Sequence, residues 1–284
     1  MRHMMFVAGS VFFAIIFSTA AVALSEERLM LFAGAASKPP AEEAVKLFEK
    51  KTGVRVEVIF GGSGYVLSQM ILAKKGDIYF PGSSDYMEKA KREGYVYPET
   101  ERIVVYLVPA INVQKGNPKH IKSLEDLVRS GIKVAIANPE GVCVGAYAVE
   151  IIEKNFTTKQ KKDFKKNIVN YTESCAKTLT VVSLKLVDAV IGWSVFQHWN
   201  PETVETIPLK SDEVVRVGYI PIAVSTFTKN KALAEQFVDF IISEEVRSIF
   251  KKHQYFSSEQ EAFAWTGQKP VGGEYAVPAE WTMK

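Results

Sequence analysis

The stretch from Leu29 to Gly64, LMLFAGAASKPPAEEAVKLFEKKTGVRVEVIFGGSG, makes one structural move twice. An apolar run ends in small residues, a serine follows, and a helical pattern begins. Leu29-Met30-Leu31-Phe32 leads to Ala35-Ala36-Ser37, and Val54 to Phe60 leads to Gly61-Gly62-Ser63-Gly64. Strand-to-helix turns repeated this closely commit the chain to parallel strands covered by helices, because parallel neighbours need a crossover and a helix is the usual one. Two such turns side by side aim two serine hydroxyls and two sets of unpaired helix N-terminal amides at one point. The positive ends of the helix dipoles make that point favourable to an anion.

The rhythm continues along the chain. Pro39-Pro40 suits a first helical turn, and AEEAVKLFEKK places Ala44, Val45, Leu47 and Phe48 on one face before Thr52-Gly53 ends it. A helix is predicted from about Tyr65 to Lys75, a short strand from Asp77 to Phe80, and a helix YMEKAKREG capped by Ser83, Ser84 and Asp85. Ile103 to Asn112, an apolar run interrupted by a proline, reads as a strand crossing into a second domain. There the pattern restarts, with KSLEDLVRSG as a helix, KVAIANP as a strand, and GVCVG leading into AYAVEIIEKN. A charged helix TTKQKKDFKKN, a strand NIVNYT, a helix SCAKTLTVVSLKLVD and a buried strand AVIGW follow. Glu213 to Val224 reads as a second crossing, and KNKALAEQFVDFIISEEVRSIFKKH as two amphipathic helical segments. The tail from Ser257 is rich in Gly, Pro and aromatics without a period, and is predicted to wrap over the surface.

At 284 residues and 47% apolar, the chain is long enough for two domains of ordinary globular composition. A formal net charge of +3, with basic and acidic residues interspersed, gives no footprint for nucleic acid. Arg2 and His3 precede an apolar run from Met4 to Phe17, and Ala21-Val22-Ala23 supplies a small-x-small cleavage pattern. A signal peptide is therefore predicted, cleaved near Ala23 or Leu24, with a soluble periplasmic product and no lipid anchor, since no cysteine stands near the cut. In an oxidising compartment Cys143 and Cys175 are expected to form a disulfide, and closing its loop of about 30 residues would contribute about 3–4 kcal/mol. A soft-metal site made by the same two thiols is the alternative reading.

Enzyme signatures fail one by one. A nucleophile elbow around Ser63 would need glycine at 61 and 65, and position 65 is tyrosine. The four histidines are scattered, so Ser63 has no evident base partner. No Walker A sequence, dinucleotide fingerprint, H-E-x-x-H or Cys-rich metal signature occurs. What remains is a set of loops at strand C-termini, each opening a helix: Ser37, Ser63, Gly141 to Gly145, and Ser174-Cys175-Ala176. Ligands of open α/β sheets bind at such ends, and two facing domains would close these loops over one ligand.

LFAGAAS before a helix, the strand ending in FGGSG, GDIYFPGSSDYMEKA, and ANPEGVCVGAYAVEIIEK, in this order and spacing, resemble the type II periplasmic solute-binding proteins of ABC importers, in their molybdate-binding branch. The resemblance covers residues 28–256. It implies a two-lobed α/β fold, each lobe a mostly parallel sheet flanked by helices, joined by two crossover strands. On this basis 1–24 is the signal peptide, 25–107 with 217–256 form lobe I, 108–216 form lobe II, and 257–284 are an extension packed on the surface. The resemblance also implies a tetrahedral oxyanion held without a positive side chain. Ser37 and Ser63 would give hydroxyls, and Val144 and Cys175 backbone amides. Trp193 stands where the family often has a tyrosine; indole donates but never accepts, which suits a dianion. Ala36, Gly62, Ser84 and Tyr147 complete the expected lining. The implied ligand is molybdate or tungstate, with sulfate-, phosphate- or thiosulfate-like anions as alternatives. A monomer that delivers its ligand to a membrane permease, with no cofactor, no resident metal and no catalysis, is expected. Cys143 and Cys175 fall on the two second-lobe loops, where a disulfide would pre-organise the amides.

Overall fold

A computed structural model describes residues 27–282; the predicted signal peptide lies outside them. The first half of the chain alternates strand and helix. β1 (Arg28–Gly34), α1 (Lys38–Thr52), β2 (Arg55–Gly61), α2 (Ser63–Ala73), β3 (Ile78–Phe80) and α3 (Ser84–Arg92) follow one another. β1 pairs in parallel with both β2 and β3, in a register that sets Phe32 between Ile59 and Tyr79. Proline at the head of α1 and a left-handed Gly53 (φ 74°) at its end bound the helix as expected, with Ala44, Val45 and Phe48 buried.

β4 (Arg102–Leu107) stops at Val108, and β5 (Pro109–Gln114) carries the chain into a second sheet. There follow β6 (Val134–Ala137), α4 (Cys143–Asn155), α5 (Thr158–Asn167), β7 (Ile168–Thr172), α6 (Cys175–Ser183), β8 (Ala189–Trp193), α7 (Phe196–Trp199) and β9 (Val204–Pro208). β10 (Gly218–Val224) returns to the first sheet, and α8 (Lys231–Ile241) and α9 (Glu244–Lys252) pack against α1.

The strand orders are β2-β1-β3-β10-β4 and β7-β6-β8-β5-β9. Each sheet is parallel where βα units build it and antiparallel around the crossing strands, since β10 runs against β3 and β4, and β5 against β8 and β9. Each sheet is therefore mixed, four strands running one way and one crossing strand, β10 or β5, running against them, because a chain that leaves and returns meets its neighbours head-on. Among the described residues no helix is long and apolar enough to cross a membrane.

Two local expectations change. KSLEDLVRSG forms only a short 3-10 turn, Leu124–Val128, closed by a capping box between Ser123 and Asp126. The tail is more structured than its composition suggested. It contains α10 (Glu259–Thr266), and Trp281 is 2% exposed, packed against Phe164 and donating its indole N–H to Glu153. Between these points Tyr275 N–H bonds Asp85 on α3, and Arg92 of α3 holds Glu274 with two bonds. The tail thus spans both sheets' helices.

Candidate functional site

The two serines do not cap their helices. Ser37 precedes α1 without a side-chain cap bond, and its hydroxyl donates to Gly34 O at 3.2 Å. Ser63 opens α2 and accepts instead from the backbone N–H of Gly82, 2.9 Å away in the turn after β3. Among the described residues nothing takes the Ser63 hydroxyl proton. Ser174, by contrast, is an ordinary cap, accepting from Lys177 N–H. Capping therefore accounts for one of these three serines and leaves the first-lobe pair for another role.

The close approaches at the glycines locate the point on which these turns converge. A Cβ on Gly82 would lie 2.6 Å from Ala36 Cβ, 2.8 Å from Cys143 Sγ and 3.4 Å from Ser63 Oγ. A Cβ on Gly34 would lie 2.7 Å from Ser63 Oγ. Ser37, Ser63, Ala36, Cys143, Val144 and Cys175 are all at most 1% exposed. None carries a charge, and Lys38, next to Ser37, turns outward to pair with Glu42 and lie over the Phe60 ring. An anion here would meet hydroxyls, helix amides and other neutral donors.

The lobes are in contact around this point. Gly64 N–H donates to Gly141 O at 2.9 Å, Asn138 donates to the Tyr65 hydroxyl at 2.6 Å, and the Tyr86 hydroxyl reaches Pro139 O at 3.4 Å. Gly62 fits where it does because it has no side chain: a Cβ would lie 2.6 Å from Gly141 O and 2.7 Å from Glu173 O.

On the second-lobe side, Cys143 and Cys175 begin α4 and α6. The expected disulfide is not formed; both are free thiols with sulfurs 4.0 Å apart. The reason is packing: each sulfur is held against its own surroundings, Cys143 against Gly82 of the opposite lobe and Cys175 facing the Val144 amide, about twice a bonded S–S distance apart. Burial pushes the Cys175 thiol well above its ordinary pKa, and the neighbouring Cys143 adds to this.

Trp193 is fully buried at the end of β8, edge-on to Tyr147 with ring centroids 4.9 Å apart. Its indole N–H faces the Cys175 sulfur but has no acceptor at bonding distance among the described residues. The Tyr147 hydroxyl is likewise buried and, among the described residues, unpaired, against Gly218 where β10 begins. Ser84 is not brought to the converging turns, since its hydroxyl is spent on Gly273 O in the tail.

Three features escaped sequence reasoning. Tyr255, after α9, donates its hydroxyl to Ala36 O at 2.5 Å and braces the first turn. Gly82 supplies the amide that orients Ser63. Arg216, 5% exposed between β9 and β10, binds Asp85 of α3 through both terminal nitrogens, Glu150 of α4 through Nε at 2.7 Å, and the carbonyls of Gly272 and Gly273. Its guanidinium also lies 3.9 Å from the Tyr147 ring centroid. The only sequence signal was an arginine within an otherwise apolar run.

The model of the bacterial extracellular solute-binding protein family matches residues 29–255. A molybdate-binding protein, ModA, of Rhodobacter capsulatus is 25% identical over 253 residues, covering 87% of this chain and 95% of that protein. Among solved structures, the sulfate-binding protein SubI of Mycobacterium tuberculosis superposes with a TM-score of 0.71 at 17% identity, covering 86% of this chain and 93% of its own. The periplasmic molybdate-binding protein of Azotobacter vinelandii superposes with a TM-score of 0.69 at 16% identity, covering 81% and 100%. At these identities the two structures establish the shared two-lobed fold.

Proposed function

Since the chain belongs to the bacterial extracellular solute-binding protein family, we propose that it is an exported receptor for a tetrahedral oxyanion, with molybdate or tungstate as ligand. The observation that carries this reading is the Ser63 hydroxyl, oriented by Gly82 N–H and buried among uncharged donors from both lobes. A dianion placed there exchanges its hydration for fixed dipoles, which need no reorganisation on binding. The relative from R. capsulatus, named as a molybdate-binding protein and matched along nearly its whole length, supports the choice of anion. The interlobe bonds of Gly64, Tyr65 and Tyr86 would form as the lobes close on the ligand, giving a closed shape that a membrane permease can recognise.

A thermal-shift panel of molybdate, tungstate, sulfate, phosphate and thiosulfate tests this. A ligand at about 100 times its dissociation constant stabilises the folded state by about 2.7 kcal/mol. A shift with molybdate or tungstate at micromolar concentration is expected. A shift with another of these anions alone would reassign the ligand, and no shift with any of them would reject the oxyanion reading.

A further inference from the structure

Oxyanion binding through hydroxyls and amides leaves the two thiols without a task. They come from different helices, their sulfurs are 4.0 Å apart, and both residues are 1% exposed. Cys143 Sγ and Ser63 Oγ both lie within 3.4 Å of where a Gly82 Cβ would stand, so the thiol pair borders the same enclosed point as the first-lobe serine. The fully buried Trp193 N–H faces the Cys175 sulfur and has no acceptor at bonding distance among the described residues.

This environment sorts the chemistry two thiols could do. A soft cation would require thiolates and a pocket tolerant of positive charge. Here the first turns of α4 and α6 present the positive ends of their dipoles, and among the described residues no group of three His, Cys, Asp or Glu side chains gathers to hold a metal ion. Burial also keeps the Cys175 thiol in its neutral form. A neutral oxyacid brings no positive charge and needs no third side-chain ligand, and each hydroxyl it exchanges for sulfur carries a thiol proton away as water.

We infer that Cys143 and Cys175, their sulfurs 4.0 Å apart, together capture a trivalent arsenic or antimony oxyacid at this point. The inference rests on the reading of this point as the ligand site. For arsenous acid, As(OH)3 and the two thiols give a dithiolate As–OH and two waters. Two As–O bonds break, two As–S bonds form, and each thiol proton leaves with a hydroxide as water. Arsenic stays trivalent and no electrons are transferred. The remaining hydroxyl oxygen is an acceptor for Trp193 N–H, the Ser63 hydroxyl and the helix amides, the same donors an oxyanion would use.

The test is native mass spectrometry with thiol titration on the full chain, reduced, then incubated with sodium arsenite. One arsenic per chain with loss of both titratable thiols is expected, and C143S and C175S should each lose the adduct. Equal arsenic uptake by wild type and both variants would overturn the inference. So would no adduct on a wild-type protein whose thiols titrate in denaturant, or uptake of mercuric ion but not arsenite. Running the molybdate thermal shift on the same samples separates the two readings. A molybdate response without an arsenic adduct removes this inference alone, an adduct without any oxyanion response removes the oxyanion reading alone, and neither response removes both.

Discussion

The Ser63 hydroxyl accepts the Gly82 amide at 2.9 Å, which ties the head of α2 to the turn after β3 and fixes the oxygen without using any amide of its own helix. On the proposed reading S63A removes that hydroxyl from the oxyanion, and it leaves the buried Gly82 N–H unpaired. A hydrogen bond to a charged group contributes about 1.5–3 kcal/mol, so titration calorimetry should show molybdate affinity reduced by about one to two orders of magnitude. Urea unfolding without ligand should show a separate loss of about 1–3 kcal/mol from the orphaned amide.

Gly62 sits against two carbonyl groups of the opposite lobe, neither of which can rotate away as a side chain would. G62A should therefore wedge the cleft rather than unfold a lobe. We expect molybdate affinity at least about tenfold weaker, some 1.4 kcal/mol. Small-angle scattering should show a larger radius of gyration for G62A with molybdate than for wild type with molybdate; equal radii would contradict the contact.

Arg216 joins Asp85 of α3 to Glu150 of α4. Replacing a buried cation by a neutral residue strands its partners, at a cost of about 3–5 kcal/mol. R216M should lower urea stability by that amount, and R216M/D85N should recover part of the loss, because the double variant no longer buries the unpaired Asp85 charge.

The alkaline limb of stability has an identifiable contributor in Cys175. Its folded pKa is raised by burial, so its contribution is fully present below the unfolded value of about 8.5 and is lost as pH rises through the folded value. Buried Tyr147 and Tyr255, also raised by burial, act in the same direction at higher pH. Urea midpoints from pH 7 to 10 should fall more steeply for wild type than for C175S.

Much of this was legible because it is local. The repeated strand–small residues–serine–helix turn identified β1, α1, β2 and α2, and the serines that open them, since each depends on a few consecutive residues. What was not legible depends on pairs distant in sequence. Nothing near Ser63 announces Gly82, and nothing near Ala36 announces Tyr255. The disulfide expectation failed for the same reason: two cysteines in a chain predicted to be exported satisfy composition, but a bond needs sulfurs about 2 Å apart, and that separation is set by how α4 and α6 pack. The helix α10 within the tail was not legible because it buries only Ala262 and Thr266, too few positions to give a period.

The tail's grip on Arg216 bears on the order of assembly. The carbonyls of Gly272 and Gly273 are two of the acceptors around the guanidinium, and Tyr275 N–H shares Asp85 with it across 190 residues of sequence. Contacts of such separation form late, because the closure entropy must be met first. A chain halted before residue 270 would have both sheets' strands in place and yet hold its central cation half-satisfied. Completion of the Arg216 cluster therefore waits on residues 272–275, and a chain halted before them should be more open to proteases around Arg216.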